Sequence, residues 1–317
     1  MHPGVNALVE VEDLHVHFGE ARAVDGASLT VMPGEVLALV GESGSGKTTL
    51  IRAIQGLQKM TSGTIRLEGA TQTIFHDPAV QMVFQDPTGA LNPRQTVYEI
   101  VAEGLRIMGD RGDERENVRE ALAQAGLRPP ERFFQLYPHE ISGGQRQRVV
   151  IAGAMVMRPR LLLADEPVAS LDASIRGEIL GLMRRLVDDT GLAILAVTHD
   201  LGLAWNIADR VAVMYLGRIV ETGLTEEILD DPKHPYTRAL LSVVPETREM
   251  EQQILRGEIP DPSQMPSGCR FHPRCPLLQS GTLSEEMAAR CVGDDPGPVP
   301  LRATAAAACW PAMASGE

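Results

Sequence analysis

The stretch that most constrains the fold lies near the start of the chain. Residues 41–48 read Gly-Glu-Ser-Gly-Ser-Gly-Lys-Thr, which fits the pattern G-x-x-x-x-G-K-T. The apolar run 36–40 before it predicts a buried strand, and the composition of 49–54 predicts a helix. A glycine-rich loop between a strand and a helix can wrap backbone N–H groups around an anion. The sequence therefore predicts a phosphate-binding loop in an α/β fold.

The polar side chains of this loop predict how a nucleotide is held. Lys47 is expected to reach the β- and γ-phosphates, and the Thr48 hydroxyl to hold Mg²⁺. The alternative is a glycine-rich turn with a chance Lys-Thr pair, which the agreement of strand, loop and helix disfavours. The loop residues expected to contact the nucleotide are Gly41, Ser43, Gly44, Ser45, Gly46, Lys47, Thr48 and Thr49.

Later apolar runs end in polar side chains. The run 161–164 is followed by Asp165 and Glu166, and the run 193–197 by Thr198 and His199. An acid at the end of a buried parallel strand beside a phosphate loop suits Mg²⁺, and an adjacent acid can orient an attacking water. Solvated loop acids and a structural histidine are the alternatives. The strand-end positions favour functional roles.

Three further features are weaker when taken alone. The tetrapeptide 142–145, Ser-Gly-Gly-Gln, precedes a helix predicted over 146–157 and offers a second anion site. Gln85 follows a predicted strand, 80–84, where a polar residue is usually just a cap. Phe18 ends the alternating stretch 8–18 and is either an adenine-stacking ring or a core aromatic.

The length and net charge of the chain limit the number of domains and the kinds of partner that we expect. The chain has 317 residues, enough for one large domain or two, and its net charge is −13. An acidic chain has no general attraction to nucleic acid or to an anionic membrane surface. No apolar run reaches the ~18 residues of a membrane span, and we expect no signal peptide at the start. Any membrane role is therefore expected to depend on a partner.

In order and spacing, these motifs resemble the ATPase subunit of an ATP-binding cassette transporter over roughly residues 8–225. Ser170-Leu171-Asp172 belongs to the same set, and Ile141 stands where the family signature usually begins with leucine. The resemblance implies a P-loop NTPase fold with a RecA-like α/β core. It also implies a small antiparallel β subdomain and a helical subdomain, about 86–160, that carries the signature.

The resemblance also implies roles. Two subunits would close head to tail around two ATP molecules, so that the signature of one caps the γ-phosphate held by the other. Phe18 would stack on adenine, and Gln85 and Asp165 would contact Mg²⁺. Glu166 would be the catalytic base, and His199 would hold the γ-phosphate. The remaining residues that we expect at the nucleotide are Ser142, Gly143, Gly144, Gln145 and Asp172.

The C-terminal part narrows the subfamily. Residues 231–241 contain His-Pro-Tyr and resemble the segment that opens the C-terminal extension of oligopeptide and dipeptide importers. Residues 85–87, 91–94 and 137–140 resemble that group as well. From the residues alone, 231–237 is only a proline-rich turn before a helix.

This resemblance sets the expected organisation. We expect an ATPase domain over 5–230 and an extension over 231–317, loop-rich from about 256 and frayed over 310–317. The partners it implies are two transmembrane permease subunits, a second ATPase subunit and an extracytoplasmic peptide-binding protein, with no nucleic acid. The chain would be peripheral, at the cytoplasmic face of the membrane.

The sequence is also compatible with other functions. A transporter ATPase could serve an importer of nickel or another small solute. A soluble cassette ATPase of DNA repair or translation belongs to a different class, and the acidic charge and the His-Pro-Tyr segment argue against it. A P-loop GTPase is disfavoured because no Asn-Lys-x-Asp occurs in the chain.

The four cysteines, Cys269, Cys275, Cys291 and Cys309, all lie near the C-terminal end. A chain without an export signal stays in a reducing compartment, which disfavours disulfides. Four thiolates suit a [4Fe–4S] cluster or tetrahedral Zn²⁺, and no pair has the close spacing usual for zinc. Residues 268–275 resemble the cysteine segment of peptide-importer ATPases, some of which carry such a cluster. We therefore expect an iron–sulfur cluster, with zinc and then unrelated buried thiols as the alternatives.

Overall fold

A computed structural model describes residues 7–71, 77–109, 112–169, 171–199, 201–244, 253–300 and 304–314. The strands are β1 (Val9–Phe18), β2 (Ala21–Val31), β3 (Val36–Val40), β4 (Ser62–Leu67), β5 (Ala70–Thr71), β6 (Val80–Val83), β7 (Leu161–Asp165), β8 (Ala193–Thr198), β9 (Arg210–Tyr215), β10 (Arg218–Leu224), β11 (Val299–Pro300) and β12 (Ala306–Ala307). The helices are α1 (Lys47–Ile54), α2 (Pro87–Ala90), α3 (Val97–Met108), α4 (Glu114–Gln124), α5 (Gly143–Met155), α6 (Ala173–Thr190), α7 (Leu201–Ile207), α8 (Thr225–Asp230), α9 (Pro235–Leu241), α10 (Pro276–Gln279), α11 (Glu285–Gly293) and α12 (Trp310–Ala314).

The chain divides into two compact units. The first comprises residues 1–32, 37–73 and 198–317, and the second comprises residues 33–36 and 74–197. The part of the chain that the structure describes contains no helix with the length and apolar character needed to cross a membrane.

An antiparallel sheet in the first unit has the strand order β2-β1-β4-β5. Along β1, Val9 and Val11 are buried, and then Leu14 and Val16 are buried, so the apolar positions change parity. The register shifts between Val11 and Leu14, where Asp13 has a φ of 46°. This bulge keeps both apolar pairs on the core face although the alternation changes parity between them.

A second sheet in this unit follows the order β11-β12-β10-β9-β3. Strands β3 and β9 are parallel, whereas β10 is antiparallel to both β9 and β12. All five residues of β3 are buried, as its unbroken apolar run predicted. The phosphate-loop motif follows directly from the end of this strand.

The second unit contains three parallel strands in the order β8-β7-β6. Both β7 and β8 are buried along their whole length, because helices cover parallel sheets on both faces. Strand β7 ends at Asp165, so the structure confirms that the predicted acid lies at the end of a buried parallel strand.

The stretch 96–127, whose composition is helical, contains two helices, α3 and α4. Thr96 caps α3 through a reciprocal box with Glu99, and Gly109 ends the helix with a φ of 67°. Asp113 then caps α4 by accepting the N–H of Glu116. Helix α5 begins at Gly143 and not at 146, because Ser142 supplies its cap.

The C-terminal part has more regular structure than we expected. Beyond 256 it contains α10, α11, α12 and two short strands, and β12 pairs with β10. The predicted fraying over 310–317 is wrong for 310–314, which form α12, while residues 315–317 lie outside the described part. The helix predicted after the proline-rich turn is α9, and His234 caps it by accepting the N–H of Tyr236.

Candidate nucleotide site

The phosphate loop has a backbone that two of its glycines make possible. Gly41 has a φ of 154°, and a Cβ placed there would lie 2.2 Å from the carbonyl oxygen of Met214. Gly46 has a φ of 104°, and its Cβ would lie 2.2 Å from the carbonyl oxygen of Ala23. No larger residue fits at either position, so the loop shape depends on glycine for space as well as for backbone freedom.

Lys47 begins α1 and turns back over the loop. Its Nζ donates to the carbonyl oxygens of Gly41 and Glu42, both at 2.8 Å, and approaches the Ser45 hydroxyl at 3.3 Å. The side chain is only 6% exposed. A buried ammonium is thereby held at the mouth of a helix N-terminus, where the helix dipole also favours an anion.

The other loop residues differ in exposure. Ser45 is buried, while Ser43 and Gly44 are exposed at the loop tip, and Thr48 and Thr49 are half-buried in the first turn of α1. Thr48 therefore lies at the helix N-terminus, the position from which a hydroxyl of this motif reaches a cation.

Phe18 lies in the same unit as the phosphate loop. It ends β1, and 52% of its surface is exposed. That exposure excludes the core-aromatic alternative, because a core ring would be covered. An exposed ring with an open face is suited to stacking on a base.

Glu42, inside the loop motif, has partners that sequence analysis missed. Its backbone N–H donates to the Tyr236 hydroxyl at 2.8 Å. Its carboxylate accepts a two-pronged contact from Arg274, at 2.7 and 3.1 Å. Both partners lie about 200 residues away along the chain, and only the His-Pro-Tyr and cysteine segments pointed to that region at all.

Acidic and amide groups meet in the second unit. Asp165 is 4% exposed at the end of β7, and Glu166 follows it with a φ of 46°, which a residue with a Cβ rarely adopts. Its backbone N–H donates to the carbonyl of Val197 at 2.9 Å. The Gln85 amide donates to the Glu166 carboxylate at 3.0 Å. The strained residue and its amide partner are both residues that the sequence singled out.

The signature tetrapeptide forms the N-terminus of α5. Ser142 accepts the N–H of Gln145 at 3.2 Å, and the Gln145 side chain accepts the N–H of Ser142 at 2.9 Å. A Cβ on Gly144 would lie 2.8 Å from a methyl group of Ile175 in α6, whereas a Cβ on Gly143 would meet nothing within 4 Å. Gly144 thus permits helix packing, and Gly143 presents an open surface.

Asp172 and His199 complete the predicted set. Asp172 caps α6, accepting the N–H of Ile175 at 3.0 Å and the Ser174 hydroxyl at 2.9 Å. These hydrogen bonds hold the pKa of the Asp172 carboxyl below its ordinary value. His199 is exposed immediately after β8. Ser170 of the family motif lies outside the described residues.

The structure does not support the prediction that the four cysteines bind an iron–sulfur cluster. Among the described residues, the one group of three or more potential ligand atoms lying within 4.8 Å of one another is His15, His17 and Asp25, and no group of cysteines meets that spacing. Cys269, Cys275, Cys291 and Cys309 do line one cavity, but it encloses only about 10 Å³, roughly the space of one water. Burial raises the pKa of all four thiols, to about 11 for Cys269. The iron–sulfur prediction is therefore wrong, and nothing among the described residues supports the zinc alternative.

Two family models match the chain. The ABC transporter model matches residues 24–169, and the model of the oligopeptide/dipeptide transporter C-terminal region matches residues 220–281. The first spans the phosphate loop, the signature and the two acids at the end of β7. The second spans α9 and the first two cysteines.

Curated relatives match most of the chain. The oligopeptide transport ATP-binding protein OppF of Salmonella typhimurium is 42% identical, over 85% of this chain and 89% of the relative. The oligopeptide transport ATP-binding protein AppF of Bacillus subtilis is 44% identical, over 82% of this chain and 83% of the relative.

Solved structures share the fold. The cbiO1 protein of Clostridium perfringens, part of the ABC transporter complex cbiONQ, has a TM-score of 0.64 and 30% identity, covering 71% of this chain and 92% of that one. The ATP-binding cassette MJ0796, solved as a dimer in a post-hydrolysis state with ADP and Pi, has a TM-score of 0.59 and 29% identity, covering 68% and 98%. These matches confirm the predicted P-loop NTPase fold. With a cassette core and the transporter-type C-terminal region in one sequence, the chain belongs to the ATP-binding subunits of ABC transporters, in the oligopeptide/dipeptide group.

Proposed function

We propose that this chain hydrolyses ATP to energise the import of oligopeptides or dipeptides. The observation that carries the substrate class is the match of residues 220–281 to the oligopeptide/dipeptide transporter C-terminal region, on the same chain as a cassette phosphate loop. The relatives whose names state oligopeptide transport support it. We assign the ATPase domain to 5–230 and the transporter-type extension to 231–317.

The first unit is proposed to bind the nucleotide. The phosphate-loop residues 41–49 would surround the phosphates, with Lys47 exchanging its loop carbonyls for β- and γ-phosphate oxygens. The buried ammonium and the helix N-terminus fit a polyphosphate, since both are positive and already ordered. Phe18 would stack on the adenine ring.

The second unit is proposed to supply the catalytic groups. Mg²⁺, when bound, would neutralise charge on the phosphates, and the residues that would hold it are Thr48, Gln85 and Asp165. Glu166 would act as general base by taking a proton from the attacking water. The hydrogen bond from Gln85 at 3.0 Å would orient its carboxylate.

A second chain is proposed to complete each site. Ser142, Gly143, Gly144 and Gln145 would contact the γ-phosphate held by a partner subunit. His199 would hold the γ-phosphate, and Asp172 would also lie at the nucleotide. The Ser142 hydroxyl accepts the N–H of Gln145, which leaves its own proton to donate outward to a phosphate oxygen. A related cassette was solved as a dimer, which supports this arrangement.

The remaining partners follow from this proposal. The ATPase pair would bind two transmembrane permease subunits at the cytoplasmic face of the membrane, and an extracytoplasmic binding protein would deliver peptide. The net charge of −13 disfavours nucleic acid as a partner.

Peptide uptake tests the proposal. Cells that lack this chain should regain uptake of a labelled tripeptide when it is restored, and should not regain it with Lys47→Ala. Uptake of labelled nickel by the same cells is the comparison. Restored nickel uptake without peptide uptake would overturn the peptide assignment while leaving the ATPase assignment in place.

A further inference from the structure

Glu42 is fixed at each of its polar groups. Its N–H donates to the Tyr236 hydroxyl, its carbonyl oxygen accepts from Lys47 at 2.8 Å, and its carboxylate accepts from Arg274. Two of these three contacts come from the C-terminal part of the chain. The position of this loop residue is thus set from outside the loop.

Arg274 is built into the fold. Its side chain is 6% exposed, and its guanidinium lies 5.9 Å from the centre of the Tyr215 ring. The 3₁₀ turn His272–Arg274 that carries it begins after Phe271. The Phe271 ring packs on both Tyr215 and Tyr236, at 5.2 and 5.4 Å between centroids. Arg274 and Tyr236 are therefore anchored in one buried aromatic cluster, and neither is a flexible surface group.

A second arginine of the same segment reaches the loop through a turn. Arg270 is buried and donates to the carbonyl oxygen of Leu216 at 2.8 Å. The next residue, Gly217, donates its N–H to the carbonyl oxygen of Ser45 at 2.9 Å. Arg270 also pairs with the Asp25 carboxylate at 2.6 Å. The segment 270–274 thus braces the loop at two points, residues 42 and 45.

The negative charge of Glu42 explains why its contact with Arg274 affects the binding of an anionic ligand. Glu42 places a carboxylate, 27% exposed, inside a loop whose ligand is a polyphosphate. The Arg274 guanidinium neutralises it with paired, charge-assisted hydrogen bonds. Without that arginine, a negative charge inside the loop would repel the phosphates.

We propose that Tyr236 and Arg274 are positioning residues of the nucleotide site, through which the C-terminal region sets the geometry and charge of the phosphate loop. This inference rests on the proposed nucleotide role of the loop and extends it. The C-terminal region is then part of the ATP-binding apparatus of its own subunit.

A double-mutant cycle on ATP affinity tests the charge component. In the purified full chain, Arg274→Met should weaken ATP binding about tenfold, the effect of one lost charge-assisted pair. Glu42→Gln should change affinity by less than about threefold, and the double variant should return close to Glu42→Gln, because coupled residues are not additive. Arg106→Met, which breaks the two-pronged pair of Arg106 with Glu114 in the second unit, is the matched control and should bind ATP like the wild type.

Kinetics separate positioning from general damage. The KM for ATP should rise in Arg274→Met while kcat changes less than about twofold, since the residues proposed for chemistry are untouched. Tyr236→Phe removes only the hydroxyl and should raise KM about threefold, as expected for one neutral hydrogen bond. If Arg274→Met fails to fold, the KM values of Glu42→Gln and Tyr236→Phe still test the positioning role. An unchanged KM in Tyr236→Phe, or additive effects in the cycle, would overturn the inference.

Failure of the inference is distinguishable from failure of the proposed function. A wild-type chain that binds no ATP would refute the function. A wild-type chain that binds ATP, loses it with Lys47→Ala and keeps it fully with Arg274→Met would refute the positioning role alone.

Discussion

At the scale of single residues, Lys47 has a defined task and defined contacts. Its ammonium lies on two carbonyl oxygens of its own loop, at 2.8 Å each. These acceptors are neutral, so a phosphate oxygen is the stronger partner for the same ammonium. The lysine is therefore ordered in advance and needs only a short movement to change partners.

Replacing Lys47 with alanine removes the ammonium from the loop. ATP affinity should fall by an order of magnitude or more, because a charge-assisted hydrogen bond contributes ~1.5–3 kcal/mol. Lys59→Ala, at an exposed lysine beyond α1, is the matched control and should bind as the wild type does. Calorimetric titration with ATP measures both. Equal affinity in Lys47→Ala and wild type would mean that the loop does not bind nucleotide.

The proposed role of Glu166 as general base is tested by replacing it with glutamine. Glu166→Gln keeps the shape and the hydrogen-bonding reach but cannot accept a proton, so ATP should still bind while hydrolysis drops ~10²–10⁴-fold. The ATP-bound dimer should accumulate and is measurable by size-exclusion chromatography. Glu103→Gln, at an exposed glutamate of α3, should leave hydrolysis unchanged. Near-normal turnover in Glu166→Gln would remove Glu166 from the proposed role.

At the scale of elements, the N-terminus of α5 offers a clean test of the composite site. A Cβ at Gly143 would meet no atom within 4 Å, so there is space at this position for a side chain that adds charge. Gly143→Asp should bind ATP through its own loop but fail to hydrolyse it, because its carboxylate would repel the partner's γ-phosphate. Gly143→Ala adds a side chain without charge and serves as the control. ATPase rates and ATP binding are measured for both variants and the wild type. A fully active Gly143→Asp chain would contradict the composite site.

Elements with a strong local signal were predictable. Strand β3 is observed over 36–40 as predicted, because an unbroken apolar run before a glycine-rich loop has few other solutions. The break between α3 and α4 was missed, although Gly109 and Asp113 are ordinary end and start signals. Both signals lie inside the stretch 96–127, whose helical composition alone does not show where one helix ends and the next begins.

Contacts between distant segments were not predictable from local patterns. The pair of Glu42 with Arg274 joins residues on opposite sides of the cassette sequence, and no period or motif spacing records it. The strained backbone at Glu166 is another such feature, since composition says nothing about φ. The candidate residues of the site were thus predictable one by one, but their supporting contacts were not.

At the scale of the whole molecule, one buried histidine couples stability to pH. His234 caps α9 and is 1% exposed, and burial lowers the pKa of its imidazole to about 3. The unfolded chain binds this proton near pH 6.5, so the neutral form favours folding fully above that pH. Stability should fall as pH drops from 6.5 towards 3, by about 1.4 kcal/mol per pH unit from this group.

Replacing His234 with asparagine tests that coupling, since asparagine can still cap a helix but does not titrate. Between pH 7.5 and 5.0 the wild type should lose about 2 kcal/mol more unfolding free energy than His234→Asn. Urea unfolding at the two pH values gives the difference, in which the contributions of the shared carboxylates cancel. Equal losses in both proteins would show that the histidine does not titrate in this range.

Strand β12 covers an edge of β10 that would otherwise be open to pairing with other molecules. Ala306 and Ala307 pair with Thr222 and Glu221 of β10, and the N–H of Ala308 donates to the carbonyl of Val220 at 2.8 Å. These few residues occupy backbone groups that β10 would otherwise present to solvent. An uncovered strand edge recruits strands from other molecules. A chain shortened before β11 would therefore lose this cover and present the edge of β10 as a surface on which molecules of the shortened chain associate with one another.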